Sequence, residues 1–204
     1  MAAETPRRVG LFGGSFDPVH NAHVALAQAA LKALQLDELR WIPAGNPWQK
    51  TRSMTDVRHR VAMVELAMAA EPGYVLDRIE VNRSGPSFTL NTVRELAAAV
   101  GLAGTQWFLV IGQDQYSNLH TWRHWQELLG RVTLAVANRP GDNRAPHPEV
   151  QKLAHHMVPL PMLDISSTQI RQRVAAGQDI TQLVPPTVAR YIETQGLYRS
   201  PAGS

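Results

Sequence analysis

The sequence predicts an α/β fold with a single open parallel sheet and helices on both of its faces. Short apolar runs alternate with amphipathic segments of about 10–15 residues, which is the pattern of βαβ units. The chain has 204 residues, 44% of them hydrophobic, so it can bury a sizeable core. It contains no cysteine, so disulfides do not hold that core together. Ligands of such sheets bind beyond the carboxyl ends of the strands.

The first half of the chain alternates strands and helices. Val9–Phe12 is an apolar run stopped by two glycines, which predicts a buried strand that enters a tight loop. Apolar residues at helical spacing predict a helix from Asn21 to about Gln35. The same criteria predict a strand at Leu39–Ile42, a helix capped by Thr55 or Asp56, a strand at Tyr74–Val81, and a helix capped by Thr89 that runs to Val100.

The second half continues this alternation. It predicts a strand at Gln106–Ile111, a helix from near Trp122, a strand at Val132–Ala137, a loop at Asn143–Pro148, a polar helix-like stretch around His155-His156, and helices at Ser166–Ala176 and Thr187–Gln195, the last stopped by Gly196. The arrangement is Rossmann-like. No internal repeat is present, so we expect one domain over residues 1–204, with about 1–6 and 200–204 frayed.

Composition narrows the class of protein. No apolar run is long enough to cross a membrane, and no signal-peptide core follows the N-terminus, so we expect a cytoplasmic protein. The net charge is +3, with 17 arginines and 3 lysines spread along the chain. A nucleic-acid or nucleotide-binding protein without catalytic activity is therefore an alternative, but no contiguous basic run favours it.

The segment after the first strand carries the clearest chemistry. It reads Gly13-Gly14-Ser15-Phe16-Asp17-Pro18-Val19-His20-Asn21-Ala22-His23. Glycines let a ligand approach the backbone, and the N–H groups of a first helical turn favour phosphate. His20 and His23 share one helix face, where both can donate to phosphate oxygens. A plain loop, or half of a metal site, is the alternative, although zinc needs more ligands than these two.

A second segment, Ile165-Ser166-Ser167-Thr168-Gln169-Ile170-Arg171, has the residues of a phosphate-binding helix start. Hydroxyls and N–H groups at a helix N-terminus hold polyphosphate, and an arginine one turn later adds a charged fork. Taken alone, this segment is more typical of a helix cap followed by a solvated arginine.

Together the two segments resemble the signature of the nucleotidyltransferase superfamily of the His-x-Gly-His type. Ala22 stands where that signature has glycine. Further segments resemble one branch, the bacterial nicotinate-mononucleotide adenylyltransferases. They are Trp41–Lys50, with Gln49 in place of histidine, Ser84–Thr92, with Phe88 in place of tyrosine, Ile111-Gly112-Gln113-Asp114 followed by Leu119–Trp122, and Val184-Pro185 with Tyr191–Tyr198.

This resemblance implies that AMP moves from ATP to nicotinate mononucleotide, which gives nicotinate adenine dinucleotide and pyrophosphate. His20, His23 and Arg171 are the implied catalytic residues. The implied ATP-binding residues are Gly13, Gly14, Ser15, Phe16, His20, His23, Arg139, Ser166, Thr168 and Arg171. Mg²⁺ is expected as the cofactor, carried by the ATP phosphates, so no protein metal ligand is assigned.

Residues suited to the pyridine nucleotide lie between the two phosphate segments. Asp114 can accept hydrogen bonds from ribose, and Trp122 can stack on the nicotinate ring. Thr89 and Trp122 are predicted at helix starts, where the N–H groups of Leu90 and Arg123 would suit a carboxylate. The implied set is Lys50, Thr89, Leu90, Asp114, Trp122 and Arg123. Core packing of Trp122 and a capping role for Asp114 are the alternatives.

Other acceptors would use the same chemistry. Pantetheine phosphate, nicotinamide mononucleotide, or a reaction that uses CTP are the alternatives, and His20 and the tryptophan segments argue against the pantetheine branch. We expect no nucleic-acid or membrane partner, and the sequence does not decide between a monomer and a homo-oligomer.

Overall fold

The computed structural model describes residues 6–46, 54–99, 104–138, 146–161 and 163–200. Its strands are β1 (Arg8–Gly14), β2 (Glu38–Pro43), β3 (Tyr74–Leu76), β4 (Gln106–Ile111), β5 (Thr133–Asn138) and β6 (His156–Pro159). Its helices are α1 (Asn21–Ala33), α2 (Val57–Met68), α3 (Ile79–Asn82), α4 (Thr89–Ala98), α5 (Gln113–Ser117), α6 (Trp125–Leu129), α7 (Pro148–Gln151), α8 (Ser167–Ala175) and α9 (Pro186–Thr194), with a 3₁₀ turn at Leu119–Thr121. Of the ends predicted to be frayed, at about 1–6 and 200–204, residues 1–5 and 201–204 lie outside the described residues.

The six strands form one parallel sheet in the order β3-β2-β1-β4-β5-β6. The chain builds outward from β1 to β3 and then crosses to β4 on the other side of β1. The carboxyl ends of β1 and β4 therefore flank the point where the strand order reverses, which is where open α/β sheets bind ligands.

Side chains of the central strands alternate between two buried clusters, as period-two strands covered on both faces require. In β4, Phe108 and Val110 belong to one cluster, while Trp107 and Leu109 belong to the other. Helices α1, α2, α8 and α9 cover the first face, and α4 to α7 cover the second. The predicted open parallel sheet with helices on both faces is confirmed.

Most predicted elements are confirmed with ends shifted by one or two residues. Asp56, rather than Thr55, caps α2, and its carboxylate accepts from the Arg58 N–H at 2.8 Å. Thr89 is the first residue of α4 and Phe88 occupies the cap position, so the prediction that Thr89 caps this helix is wrong. Gly196, with φ 60°, follows the last helix as predicted.

Three other local predictions are wrong. The strand predicted at Tyr74–Val81 ends at Leu76, and α3 begins at Ile79, whose N–H donates to the Asp77 carboxylate. No helix starts at Trp122, which follows the 3₁₀ turn. The stretch at His155-His156 is not helical, since His156 begins the edge strand β6. Pro148, the last residue of the loop predicted at Asn143–Pro148, begins α7, and residues 143–145 of that loop lie outside the described residues.

Among the helices of the described residues, none is both long and apolar enough to cross a bilayer.

Candidate active site

A cavity of about 860 Å³ opens at the carboxyl ends of β1 and β4. This is a volume typical of small-molecule sites. It is bounded by the ends of both strands and by the first turns of α1, α4 and α8. Of the predicted site residues that the structure describes, those lining it are Gly13, Gly14, Ser15, His20, His23, Thr89, Leu90, Asp114, Trp122, Arg123, Ser166, Thr168 and Arg171.

Phe16 is the described site residue that does not line the cavity. Its side chain is 1% exposed and folds beneath the glycine turn, where φ is 47°. A Cβ on Gly14 would lie only 2.9 Å from the Phe16 ring, so this close approach requires glycine. Phe16 therefore supports the turn from below, and only its backbone is available to a ligand there.

The two histidines of α1 are held together at the cavity wall. His20 occupies the cap position, and its backbone N–H donates to Nδ1 of His23 at 3.2 Å. Their rings stack with centroids 3.6 Å apart. Because Nδ1 of His23 accepts a hydrogen bond, a neutral His23 carries its proton on Nε2. Nε2 is thus the donor nitrogen of His23.

Helix α8 is bonded directly to the glycine turn. Ser166 caps the helix by accepting from the Gln169 N–H at 3.1 Å, and Ser167 donates to the carbonyl oxygen of Pro18 at 2.9 Å. The Arg171 guanidinium donates to the carbonyl oxygen of Asp17 at 2.7 Å and to the Thr168 hydroxyl at 3.1 Å. The two phosphate segments, about 150 residues apart, therefore form one surface.

The opposite side of the cavity carries the residues predicted to bind a pyridine nucleotide. Thr89 and Leu90 form the start of α4, as expected, and Asp114 lies in the first turn of α5. Trp122 lines the cavity and also packs against the second core cluster, so both interpretations of this residue describe part of its surroundings. Within the described residues its buried indole N–H has no hydrogen-bond partner.

Arg123 departs from its predicted setting. Because Trp122 does not begin a helix, the Arg123 N–H is not at a helix N-terminus. Its guanidinium instead lies over the Phe88 ring, 5.0 Å from the centroid, a cation–π contact at the cavity wall. Lys50, Gln49 and Arg139 lie outside the described residues.

Sequence reasoning missed several buried polar groups around the cavity. Asp17 is 0% exposed and accepts from the Tyr198 hydroxyl at 2.8 Å. Burial and the Asp17 charge raise the pKa of Tyr198, so it remains a donor. Arg60, 2% exposed, binds backbone carbonyls of two loops. A charged residue in line with the apolar stripe of α2, four residues before Val64, was the available signal for Arg60.

Glu80 is a further buried group that sequence reasoning missed. It lines the cavity, is 7% exposed, and accepts from the Thr92 hydroxyl at 2.7 Å. Burial raises the pKa of the Glu80 carboxyl, which the hydrogen bonds from Thr92 and Ser87 partly offset.

Comparison with known proteins agrees with the resemblance that the sequence motifs indicate. The cytidylyltransferase-like family model matches residues 11–173. The protein of Methylibium petroleiphilum named "Probable nicotinate-nucleotide adenylyltransferase" is 50% identical over 100% of this chain and 98% of its own. The protein of the same name from Bordetella pertussis is 44% identical over 94% of this chain and 98% of its own.

Solved structures share the fold. The nicotinic acid mononucleotide adenylyltransferase of Plasmodium falciparum complexed with NaAD has a TM-score of 0.74 at 19% identity, and covers 94% of this chain and 97% of its own. The complex with APC has a TM-score of 0.72 at 20% identity, with the same coverage. From the family model and the full-length relatives it follows that the chain belongs to the nicotinate-nucleotide adenylyltransferase family.

Proposed function

We propose that this protein transfers AMP from ATP to nicotinate mononucleotide, giving nicotinate adenine dinucleotide and pyrophosphate, a late step of NAD biosynthesis. The observation that carries the proposal is the direct bonding of α8 to the turn after β1. It gathers donors suited to phosphate at one side of a cavity whose other side carries an aromatic ring and a helix start.

The reaction needs no general base. The phosphate oxygen of the mononucleotide is ionised at neutral pH and attacks the α-phosphorus of ATP, while the bond to the β-phosphate oxygen breaks and pyrophosphate leaves. Like other phosphoryl transfers, this leaves positioning and charge stabilisation to the protein. Nε2 of His23, together with His20, donates to the α-phosphate oxygens, where negative charge develops.

The β- and γ-phosphates are assigned to the start of α8. Ser166 and Thr168 each keep a hydroxyl proton to donate when their oxygens accept from Gln169 and Arg171. Arg171 adds charge beside them, and Gly13 together with the backbone N–H groups of Gly14 to Phe16 completes the ATP set. Arg139 is retained as a predicted member of this set.

The acceptor is assigned to the opposite wall. Trp122 stacks on the pyridine ring, Thr89 and the N–H of Leu90 take the carboxylate, and Asp114 takes ribose hydroxyls. The side chain of Arg123, rather than a helix N-terminus beside it, adds positive charge near the ring site. Lys50 is retained as the predicted cation for the acceptor phosphate.

A divalent cation suits this donor set as a partner of the phosphates. The Asp17 carboxylate is fully buried and bound by Tyr198, so it does not serve as a metal ligand. Among the described residues, no group of three or more histidine, aspartate or glutamate side chains is arranged to hold a metal. We propose Mg²⁺, which would neutralise phosphate charge while held by phosphate and water oxygens.

We also propose that residues 1–204 form a single domain, and that the enzyme acts in the cytoplasm without nucleic-acid or membrane partners.

Pyrophosphate release from Mg-ATP, with nicotinate and nicotinamide mononucleotides assayed side by side, tests the function. We expect a preference of about 100-fold for the acid, equivalent to about 2.7 kcal/mol. A preference for the amide would overturn the acceptor assignment, and absence of release with either would overturn the proposed reaction.

A further inference from the structure

Arg60 is a buried cation that the reaction as described above does not use. It lies in the first turn of α2 and is 2% exposed. Its Nη1 donates to the carbonyl oxygens of Ser15 at 2.9 Å and Ala44 at 2.8 Å. Its Nε donates to the carbonyl oxygen of Thr55 at 3.0 Å, and Nη2 lies 3.4 Å from that of Gly45. One guanidinium thus binds the turn after β1 and the segment after β2.

The segment after β2 continues these contacts to the acceptor side. The N–H groups of Gly45 and Asn46 donate to the Ser87 hydroxyl at 3.1 and 3.2 Å, and the Ser87 N–H donates to the Asn46 carbonyl at 2.9 Å. A Cβ on Gly45 would lie 2.2 Å from the carbonyl oxygen of Glu80, so this segment fits tightly against α3. Ser87 lies two residues before α4, which carries Thr89 and Leu90.

The side chain of Arg60 therefore connects the two halves of the cavity through hydrogen bonds. A bonded path leads from Ser15 on the phosphate side, through Arg60, to residues 44–46 and Ser87 on the acceptor side. Burying a guanidinium costs folding free energy that an apolar residue in line with Met63 and Val64 would avoid. Its planar fork of five donors can satisfy several carbonyls at fixed angles, which neither lysine nor an apolar side chain can do.

We propose that Arg60 is a positioning residue. It sets the spacing between the turn after β1, which is assigned to phosphate, and the start of α4, which is assigned to the acceptor. This inference rests on the proposed function, because it concerns the alignment of the acceptor oxygen with the α-phosphorus. An error of about 1 Å in such an alignment can cost about 100-fold in rate.

The test compares Arg60→Met and Arg60→Lys with Val64→Ala. Val64 is one turn along α2, is 0% exposed, and contacts the core rather than the cavity. We expect Arg60→Met to lower kcat by about 100-fold while both KM values change by less than about threefold, because each half still binds its own substrate. Arg60→Lys should lose less, and Val64→Ala should keep kcat despite a lower Tm.

Amide hydrogen exchange gives a readout independent of activity. In both Arg60 variants, residues 13–18 and 44–46 should exchange faster while β4 is unchanged, and Val64→Ala should leave these segments as in the wild type. Unchanged exchange, wild-type kcat, or equal rises in both KM values would overturn the positioning role. If Arg60→Met does not fold, Arg60→Lys decides by the same criteria. A wild-type protein without activity would overturn the proposed function, and exchange would still decide the role of Arg60.

Discussion

At the residue scale, the structure gives one ring atom of His23 a capping role, and the proposed mechanism gives another a chemical role. Nδ1 accepts from the His20 N–H, and Nε2 is the proposed donor to the substrate. Asparagine in its place can supply an acceptor for the His20 N–H but has no atom at the position of Nε2. A comparison of His23→Asn with His23→Ala therefore separates an effect on folding from an effect on catalysis.

We expect His23→Asn and His23→Ala each to lower kcat by about 10²–10³, as for the loss of one donor to a developing charge. His23→Asn should keep a Tm nearer to the wild type because it can retain the capping contact. Steady-state kinetics and thermal unfolding check this, with His59→Ala as a control, since His59 bonds Tyr191 and does not line the cavity. A loss confined to KM would contradict the role at the α-phosphate.

Glu80 gives a pH-dependent prediction. Its pKa is raised above the usual 4.5, chiefly by burial. A carboxyl with a raised folded-state pKa adds stability that is fully present below its unfolded-state pKa and is lost as pH rises through the folded-state pKa. The free energy of unfolding of the wild type, relative to Glu80→Gln, should therefore fall as pH rises above 4.5.

Urea unfolding of both proteins from about pH 4 to about pH 8 measures this difference. Glu95→Gln is the control, because Glu95 is a more exposed carboxylate paired with Arg83. A difference that stays constant over this range would show that Glu80 ionises as readily in the folded as in the unfolded state.

At the element scale, periodicity predicts the long elements and fails for the short ones. Helix α1 repeats an apolar stripe over several turns, and β4 is a continuous apolar run that ends where predicted. Between β4 and β5, α5, the 3₁₀ turn and α6 have only three to five residues each. Elements of one turn do not repeat a pattern, so the sequence predicted one helix from near Trp122 instead of these three elements.

For the candidate site, the sequence predicts pairs of residues that lie within one segment and misses pairs that lie far apart in the chain. His20 and His23, or Thr168 and Arg171, lie within single short segments, so the sequence could predict each pair. The contacts of Arg60 with Ser15 and of Tyr198 with Asp17 join residues 45 and 181 positions apart. No local pattern predicts such pairs, because the sheet order and the helix packing bring them together.

Substitution of Trp122 tests the proposed role of the segment between β4 and β5. Trp122→Ala should raise KM for the pyridine nucleotide far more than KM for ATP, because the proposed site places this ring beside the acceptor and away from ATP, and Trp122→Phe should recover part of the loss. Steady-state kinetics with each substrate varied in turn measures this. Trp125→Phe is the control, since Trp125 packs on the same cluster without lining the cavity. Equal rises in both KM values would mean that Trp122 acts only as core.

At the scale of the whole molecule, a residue near the C-terminus contacts the turn after β1, close to the N-terminus. The Tyr198 hydroxyl donates to Oδ1 of Asp17 at 2.8 Å, and the carbonyl of the same Asp17 accepts from Arg171. Side chains from α2, α8 and the C-terminal segment thus hold the turn that connects β1 to α1. The sheet order makes this possible, because it places the end of β1 at the centre of the molecule.

Tyr198→Phe removes one partner of a buried carboxylate without changing the shape of the side chain. We expect it to lower the free energy of unfolding by about 1–3 kcal/mol, the range for a lost hydrogen bond to a buried charged group. It should also lower kcat by about tenfold, because the turn that anchors Arg171 is displaced. Tyr191→Phe is the matched control, since its hydroxyl contacts Nδ1 of His59 at 2.9 Å, away from the turn. Urea unfolding and steady-state kinetics of both variants separate the two effects. If both variants lose kcat in proportion to stability, Tyr198 contributes only to folding, whereas a kcat loss confined to Tyr198→Phe shows that the C-terminal segment positions the catalytic turn.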